Sequence, residues 1–348
     1  MKCEEVRELL GKKERSSLGF YPTPFYKLDR LSDKLGINLY IKREDFSGQP
    51  LFGGNKIRKL EYLIGDAKKK GAEYVFTYGA TQSNHAMQTV EVCRKAGLKP
   101  ILYLLAIVEP DENDVKANLL LDKILDAEVH IVKKLPGETD VKGDERMYKL
   151  GKEHIQRLEA EGHKCYDIPM GGASLVGTAG FIGGFTELQE QLDASGIHAD
   201  YLVQATGTGG TMAGLVAGKK LLNSDTEIIS VDVCDHAPDF AEQCAMLANE
   251  ALKWIGAEPI VTAEDFHLEP KYYLPGYEIP NVYGTNGIKT MAREEGLLLD
   301  PVYSGKAFGA LLDFVENGTI PKGSNVVFLH TGGATALFAE KEILGEII

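Results

Sequence analysis

Runs of apolar and β-branched residues alternate along the chain with longer segments whose apolar positions recur every three or four residues. The short runs predict strands at residues 39–42, 74–78, 101–105, 129–132, 201–205, 227–233 and 326–330. The longer segments predict helices, among them residues 57–70, 84–96, 147–161 and 211–222. Gly71, Gly97 and Gly162 follow three of these helices, where a left-handed residue commonly ends a helix. This alternation predicts parallel sheets covered by helices on both faces.

The length of the chain indicates two lobes. With 348 residues, it exceeds the size that a single hydrophobic core usually serves. The chain has two points at which it could cross between lobes, at Gly53-Gly54 and at residues 169–172. We therefore expect an α/β fold of two lobes, each an open, mostly parallel sheet flanked by helices. Residues 1–52 with 166–348 would form the larger domain, and residues 53–165 the smaller one.

Charge and cysteine content narrow the possible partners and location. A net charge of −13 argues against general affinity for nucleic acid or for anionic membranes. The five cysteines are scattered without a Cys-x-x-Cys pair, as expected of reduced thiols in the cytosol. The first 17 residues lack an apolar signal core, and the apolar runs are too short to span a bilayer. We expect a soluble, cytoplasmic protein.

A glycine-rich turn follows the predicted strand at residues 201–205. It consists of Gly207, Thr208, Gly209, Gly210 and Thr211. Glycines let the backbone approach an anion closely, and the next helix adds partial positive charge at its N-terminus. A dinucleotide fold is a rival, since Asp232 ends the next strand, but Met212 replaces the third glycine of that fingerprint. The turn alone indicates a phosphate site and leaves the cofactor open.

Two further turns follow predicted strands, so all three should lie at the carboxyl ends of parallel strands, where open α/β sheets bind ligands. One begins at Gly79 and ends in Ser83, Asn84 and His85, with more polar side chains than helix capping requires. It could hold a carboxylate. The other begins at His330 and contains Thr331.

Lys56 is the candidate reactive group. It follows Gly53 and Gly54 at the start of a predicted helix, beside Arg58 and Lys59. The helix dipole and these cations should lower the pKa of Lys56 and leave part of its amine neutral, as Schiff-base chemistry requires. An exposed lysine is the more ordinary reading of this local sequence. However, a lysine of this kind together with a phosphate-binding turn about 150 residues later favours a reactive Lys56 over an exposed one.

Four sequence blocks in order carry a family resemblance. They are Gly53-Gly54-Asn55-Lys56-x-Arg58-Lys59-Leu60-Glu61, Gln82-Ser83-Asn84-His85, Asp300-Pro301-Val302-Tyr303 and His330-Thr331-Gly332-Gly333-Ala334. From about Tyr21 to Phe338 the chain resembles the D-cysteine desulfhydrase and 1-aminocyclopropane-1-carboxylate deaminase family. That family belongs to the tryptophan-synthase-β-like enzymes of fold type II, which use pyridoxal 5′-phosphate (PLP).

The resemblance implies roles for the residues in these blocks. Lys56 would form the Schiff base with PLP, Asn84 would hydrogen-bond its 3′-oxygen, and the turn from Gly207 to Thr211 would hold its phosphate near Lys59. Ser83 matches the family's active-site serine, and Tyr277 and Tyr303 match two tyrosines near the substrate. The expected cofactor-binding set also includes Asn55, Ser304 and Thr331. The expected substrate-binding set is Ser83, Asn84, His85, Tyr277 and Tyr303.

A few single residues differ between family members that act on different substrates. The deaminases carry a glutamate beside the pyridine nitrogen, where this chain has Ser304, and a glutamine where it has His85. A neutral hydroxyl suits expulsion of a good leaving group better than opening of a cyclopropane. Met87 departs from the arginine usual in desulfhydrases, while Ser304 and Thr81 are closer to L-cysteate sulfo-lyases. The leaving group, sulfide or sulfite, stays open, as does D or L stereochemistry.

The expected reaction is α,β-elimination of a small amino acid to pyruvate and ammonia, with Lys56 or Ser83 removing the Cα proton. D-cysteine desulfhydrase comes first, then L-cysteate sulfo-lyase, then 1-aminocyclopropane-1-carboxylate deaminase. Rivals of other classes are an NAD-linked oxidoreductase and a binding protein that kept the fold. No metal is expected, because His85, His236 and His330 lack ligand spacing. The resemblance also implies a homodimer.

Overall fold

The computed structural model describes residues 1–48 and 53–347. Its strands are β1 (Phe25–Lys27), β2 (Asn38–Arg43), β3 (Tyr74–Ala80), β4 (Lys99–Ala106), β5 (Glu128–Lys133), β6 (Cys165–Asp167), β7 (Tyr201–Thr206), β8 (Glu227–Asp232), β9 (His267–Glu269) and β10 (Asn325–His330). Its α-helices are α1 (Cys3–Gly11), α2 (Asp29–Leu35), α3 (Lys56–Lys69), α4 (Asn84–Ala96), α5 (Ala117–Ile124), α6 (Asp140–Ala160), α7 (Leu175–Ser195), α8 (Gly210–Leu222), α9 (Phe240–Ile255), α10 (Val282–Glu295), α11 (Ser304–Glu316) and α12 (Lys341–Leu344). Short 3₁₀ turns lie at Glu44–Phe46, Met170–Gly172, Ala263–Asp265, Pro270–Tyr273 and Ala334–Phe338.

The strands form two sheets. One has the order β1-β2-β10-β7-β8-β9, and the other has the order β5-β4-β3-β6. Every neighbouring pair is parallel except β1 and β2. Nearly continuous apolar runs such as β4 and β10 are buried, as expected of strands covered by helices on both faces. The predicted α/β class with two mostly parallel sheets is confirmed.

The seven predicted strands correspond to β2, β3, β4, β5, β7, β8 and β10. The prediction missed β1, β6 and β9, which are edge strands of three residues each. Three residues at a partly exposed edge are too few to show an alternating pattern. Helix α6 begins at Asp140, seven residues before the predicted start at Met147, because the Thr139 side chain accepts a hydrogen bond from the Lys142 amide and caps it.

The three predicted helix-ending glycines are confirmed. Gly71, Gly97 and Gly162 have φ angles of +71°, +74° and +92°. Only a residue without a side chain adopts this left-handed region at little cost.

Helix α3, which begins with Lys56, packs against α7. A Cβ atom built on Gly180 of α7 would lie 2.3 Å from the Arg58 carbonyl oxygen, so the two backbones approach as closely as a glycine allows. The apolar side of this contact includes Ile57 and Leu60 from α3 and Ile182 from α7, all fully buried. This contact fixes the position of the first residues of α3 relative to α7.

The division into domains stays a prediction. The smaller sheet uses strands between Tyr74 and Asp167, and the larger sheet uses strands before and after that stretch. The proposed boundary after residue 52 and the last residue, 348, fall outside the described residues. Among the residues that the structure describes, no helix combines the length and the apolar character needed to cross a bilayer.

Candidate active site

The three turns singled out from the sequence meet at one cavity of about 740 Å³ between the two sheets. They follow β3 of the smaller sheet and β7 and β10 of the larger one. Thirteen predicted site residues line the cavity: Asn55, Lys56, Lys59, Ser83, Asn84, His85, Gly207, Thr208, Gly209, Thr211, Tyr277, Tyr303 and Thr331. Gly210 and Ser304 lie outside this lining and are described below.

Lys56 opens α3 beside the turn after β10. The Asn55 amide donates to the Thr331 carbonyl at 3.0 Å, which ties the start of α3 to that turn. The Lys56 ammonium donates to Asn55 Oδ1 at 2.9 Å and lies 5.9 Å from the Tyr303 ring centre. Burial lowers the pKa of Lys56 to about 8, and the nearby Asp300 carboxylate partly opposes that shift. The predicted direction of the pKa shift is correct.

The contribution that we assigned to Arg58 is wrong, because its guanidinium is already neutralised, whereas the contributions of Lys59 and of the helix dipole stay predictions. The guanidinium pairs with Glu44 at 2.5 Å and with Glu187 at 2.7 Å, and Lys42 pairs with the same Glu187 at 2.5 Å. The four charges sum to zero and all four side chains are buried. This network fixes the first turn of α3 to the larger sheet and contributes nothing that would repel the Lys56 proton.

The turn between β7 and α8 has the form of an anion site. Gly209 caps α8 with φ of +77°, and a Cβ atom built there would lie 2.5 Å from Cys244 Sγ. A Cβ atom on Gly210, the first residue of α8, would lie 2.9 Å from Lys59 Nζ. These contacts leave room for glycine alone and place a lysine beside the amides of the turn.

Lys59 is a buried cation without an anion among the described residues. Its side chain is 1% exposed, and its ammonium donates only to the Gly171 carbonyl, at 3.1 Å. Burial, and secondarily the charge of Lys56, lowers the pKa of Lys59 well below its usual value. An ammonium in such surroundings is stabilised by an arriving anion. The turn and Lys59 together therefore fit the phosphate of PLP.

The turn after β3 presents free hydrogen-bond donors. Ser83 caps α4 by accepting a hydrogen bond from the Ala86 amide at 3.1 Å, which leaves its hydroxyl proton available. A Cβ atom on Gly79 would lie 2.5 Å from Ser83 Oγ, so this approach needs the glycine. Asn84 accepts from Asn118 Nδ2 at 2.8 Å through its oxygen, and its amide nitrogen remains able to donate.

His85 presents an acceptor. Its Nε2 lies 2.8 Å from the Thr77 hydroxyl, which donates its only proton to the Ile168 carbonyl at 3.0 Å. When both of these hydrogen bonds form, Nε2 carries the proton, and the buried Nδ1, which has no partner among the described residues, keeps its lone pair. Burial, then the charges of Lys56 and Lys59, lowers the pKa of His85 well below its usual value, so the ring is neutral.

Tyr277 and Tyr303, which also line the cavity, share a hydrogen bond between their hydroxyl groups. Burial raises the pKa of each phenol, so both are protonated at neutral pH. The segment that carries Tyr277 is held by Lys306, whose ammonium donates to the Tyr273 carbonyl at 3.3 Å and the Gly276 carbonyl at 3.0 Å. Lys306 was not among the predicted site residues, because nothing in the local sequence distinguishes it from a surface lysine.

The Ser304 hydroxyl is hydrogen-bonded to Asp300. Its hydroxyl donates to Asp300 Oδ1 at 2.6 Å and accepts from the Asp300 amide at 2.9 Å. The same carboxylate accepts from the amides of Val302, Tyr303 and Ser304 at the N-terminus of α11. The sequence blocks include Asp300 but gave it no role, although Asp-Pro at a helix start is a recognisable capping signal. Contact of Ser304 with the cofactor stays a prediction.

Comparison with known proteins identifies the family of this chain. The family described as "Pyridoxal-phosphate dependent enzyme" matches residues 16–332. The chain is 37% identical over 99% of both chains to a Pyrococcus abyssi protein named "Putative 1-aminocyclopropane-1-carboxylate deaminase". It is 38% identical to a Salmonella paratyphi C "D-cysteine desulfhydrase" over 91% of this chain and 93% of the other.

A solved structure titled "Crystal Structure Analysis of the ACC deaminase homologue" superposes with a TM-score of 0.84 at 35% identity, covering 96% of each chain. This likeness confirms the expected fold type II architecture. The family match decides between PLP and the dinucleotide that the glycine turn alone left open, in favour of PLP.

Proposed function

The chain belongs to the pyridoxal-phosphate dependent enzymes, and on that premise we propose that it converts D-cysteine and water to pyruvate, ammonia and hydrogen sulfide. The premise supports a PLP-dependent elimination or deamination of a small amino acid. The names of relatives divide between D-cysteine desulfhydrase and 1-aminocyclopropane-1-carboxylate deaminase. The choice among substrates rests on the charges that line the cavity.

The cavity favours a neutral leaving group. Among the described residues that line it, the lysines are Lys56 and Lys59, and both are on the cofactor side. Its carboxylates are those of Asp140, Asp144 and Asp235. A thiol enters such a cavity without an added charge, whereas the sulfonate of L-cysteate is always negative and would lack a cationic side chain. This difference is the observation that favours a thiol over a sulfonate leaving group, and the D configuration is proposed from the name of the desulfhydrase relatives.

The residues that would hold PLP are the turn from Gly207 to Thr211 with Lys59 for the phosphate, Lys56 for the covalent link, and Asn84 and Thr331 for the ring. When bound, PLP supplies an electron sink for the negative charge that develops at Cα. The remaining chemistry belongs to side chains of the chain itself.

Each of these side chains has a protonation state that suits the role proposed for it in the reaction. With a pKa of about 8, the Lys56 amine is partly neutral at physiological pH and can accept the Cα proton. The Ser83 hydroxyl and the amides at the start of α4 can donate to the substrate carboxylate. The hydroxyls of Tyr277 and Tyr303, both protonated, can donate a proton to the departing sulfur.

Ring-opening deamination is the second candidate, since relatives with similar identity carry that name. Ser304 bears no charge of its own, and its proton is engaged with Asp300. An uncharged group provides weaker support for a protonated pyridine nitrogen than a glutamate does, and we therefore rank this reaction lower.

The test compares D-cysteine, L-cysteine, L-cysteate and 1-aminocyclopropane-1-carboxylate with the PLP-loaded enzyme, measuring 2-oxo acid and sulfide. We expect the highest kcat/KM for D-cysteine, with equal amounts of pyruvate and sulfide. Faster pyruvate release from L-cysteate, or rapid 2-oxobutanoate release, would refute the substrate assignment. Lys56→Ala is the inactive control, because it removes the amine.

We also propose that the enzyme is a cytoplasmic homodimer. Cys3, Cys93, Cys165, Cys234 and Cys244 are all free thiols, which supports a reducing compartment. The dimer rests on the family resemblance, and sedimentation velocity of the purified protein tests it. A monomer at micromolar concentration would contradict it.

A further inference from the structure

Outside the active site, two histidines and a glutamate meet between the edge strand β5 and helix α6. Glu128 and His130 are two residues apart on β5, so their side chains project from the same face of the sheet. His154 lies on α6, which packs on that face. None of these residues belongs to the PLP cavity.

The ligand atoms of the three side chains lie close enough to share one ion. Glu128 Oε1 is 2.7 Å from His130 Nε2 and 3.8 Å from His154 Nδ1, and the three atoms all lie within 4.8 Å of one another. Ligands of a tetrahedral zinc ion, at about 2.0–2.1 Å from the metal, are roughly 3.3 Å apart. Only small side-chain shifts separate the present arrangement from that geometry.

Aromatic neighbours hold both imidazoles in place. The His130 ring stacks on Tyr103 with centres 4.5 Å apart and 12° between planes. The His154 ring meets Phe76 edge-on at 5.3 Å. The Tyr103 hydroxyl lies 3.1 Å from His154 Nδ1, and its rotation would free that nitrogen for a metal.

We propose that Glu128, His130 and His154 bind one divalent transition-metal ion of the zinc class, with the fourth position open to water. Two imidazoles and one carboxylate are a ligand set that zinc accepts. The first turn of α6 lines the PLP cavity through Asp140, Val141 and Asp144. An ion joining β5 to α6 therefore stabilises one wall of that cavity, since binding to the folded state alone raises stability.

The experiment titrates zinc chloride into tag-free, chelator-treated holoenzyme by calorimetry and follows thermal unfolding in parallel. We expect one equivalent to bind and the Tm to rise. Glu128→Gln and His130→Gln should each weaken binding by about tenfold or more. Both side chains are partly exposed, so neither change threatens the fold.

His267→Gln is the matched control. His267 also contacts two carboxylates, Glu227 at 2.6 Å and Glu269 at 2.9 Å, but through opposite ring nitrogens, so they cannot share one ion with it. This variant should bind zinc as the parent protein does. Absence of a binding isotherm, or equal affinity in the parent and in both ligand variants, would overturn the proposal.

Discussion

Replacing Lys59 with methionine should have opposite effects on the two forms of the enzyme. The Lys59 ammonium has three protons to donate but, within the part of the chain that the structure describes, one acceptor, the Gly171 carbonyl, and its side chain is 1% exposed. In the PLP-free protein the buried charge is therefore poorly compensated. In the PLP-bound protein the phosphate on the neighbouring glycine turn would compensate it.

The size of each effect follows from the contacts. A buried donor without a partner costs about 1–3 kcal/mol, so Lys59→Met should raise the free energy of unfolding of the PLP-free protein by up to that amount. A hydrogen bond to a charged group contributes about 1.5–3 kcal/mol, so the same change should weaken PLP binding roughly 10- to 100-fold.

The assay combines urea unfolding of the PLP-free protein with PLP titration followed by absorbance. Lys42→Met is the matched control, because Lys42 is equally buried but paired with Glu187 at 2.5 Å. That control should destabilise the protein and leave PLP affinity nearly unchanged. If Lys59→Met bound PLP as tightly as the parent, or lost stability as Lys42→Met does, the phosphate role of Lys59 would be refuted.

Three further outcomes are expected. The rate at which the PLP-free enzyme captures PLP should rise about tenfold per pH unit and level off above pH 8, because only the neutral Lys56 amine reacts; a flat stopped-flow profile would contradict this. Arg58→Met should cost about 3–5 kcal/mol in urea unfolding, since it leaves the buried Glu44 carboxylate without its cation while Glu187 keeps Lys42, and adding Glu44→Gln should restore part of that loss. Lys306→Met should lower kcat and speed protease cleavage near Tyr277, with rescue by arginine; unchanged cleavage would argue against the loop contact.

The helices and strands that could be predicted from the sequence are those in which apolar residues recur at a regular spacing over many residues. Helix α4 begins and ends where predicted, since its apolar spacing is bounded by Ser83 and Gly97. The strands missed were the three-residue strands at sheet edges, whose pairing depends on distant partners, whereas the six-residue edge strand β5 was predicted. Strand β9, for instance, pairs with β8 more than 30 residues before it. Contacts of that kind leave no local pattern.

The part of the candidate site that could be predicted is the part formed by backbone amides. Turns after buried strands and glycines before a helix indicate an anion site from local sequence alone. The partners of the charged side chains were not predictable in this way. Arg58 was expected to repel the Lys56 proton, yet it pairs with Glu44 and Glu187, which lie 14 residues before it and 129 residues after it. Whether a cation such as Arg58 repels a neighbouring proton or is neutralised by a carboxylate depends on residues that are distant in sequence and meet only in the folded protein.

Burial divides the lysines of this enzyme into two kinds that look the same in sequence. Lys42 is buried with a carboxylate at 2.5 Å, and its role is complete in the PLP-free protein. Among the described residues, Lys56, Lys59 and Lys306 have no carboxylate within salt-bridge distance, and burial lowers the pKa of each. Lys306 donates to two backbone carbonyls, which hold it in place as a structural cation. Lys56 and Lys59 have one acceptor each within the described part of the chain, and a buried cation that is so poorly compensated costs free energy that a ligand can offset. These two lysines face one cavity, one beside a glycine turn and one beside the Tyr303 ring, which are separate places for a phosphate and an aldehyde. The charge balance of the protein therefore supports, independently of any sequence motif, a ligand that carries both groups.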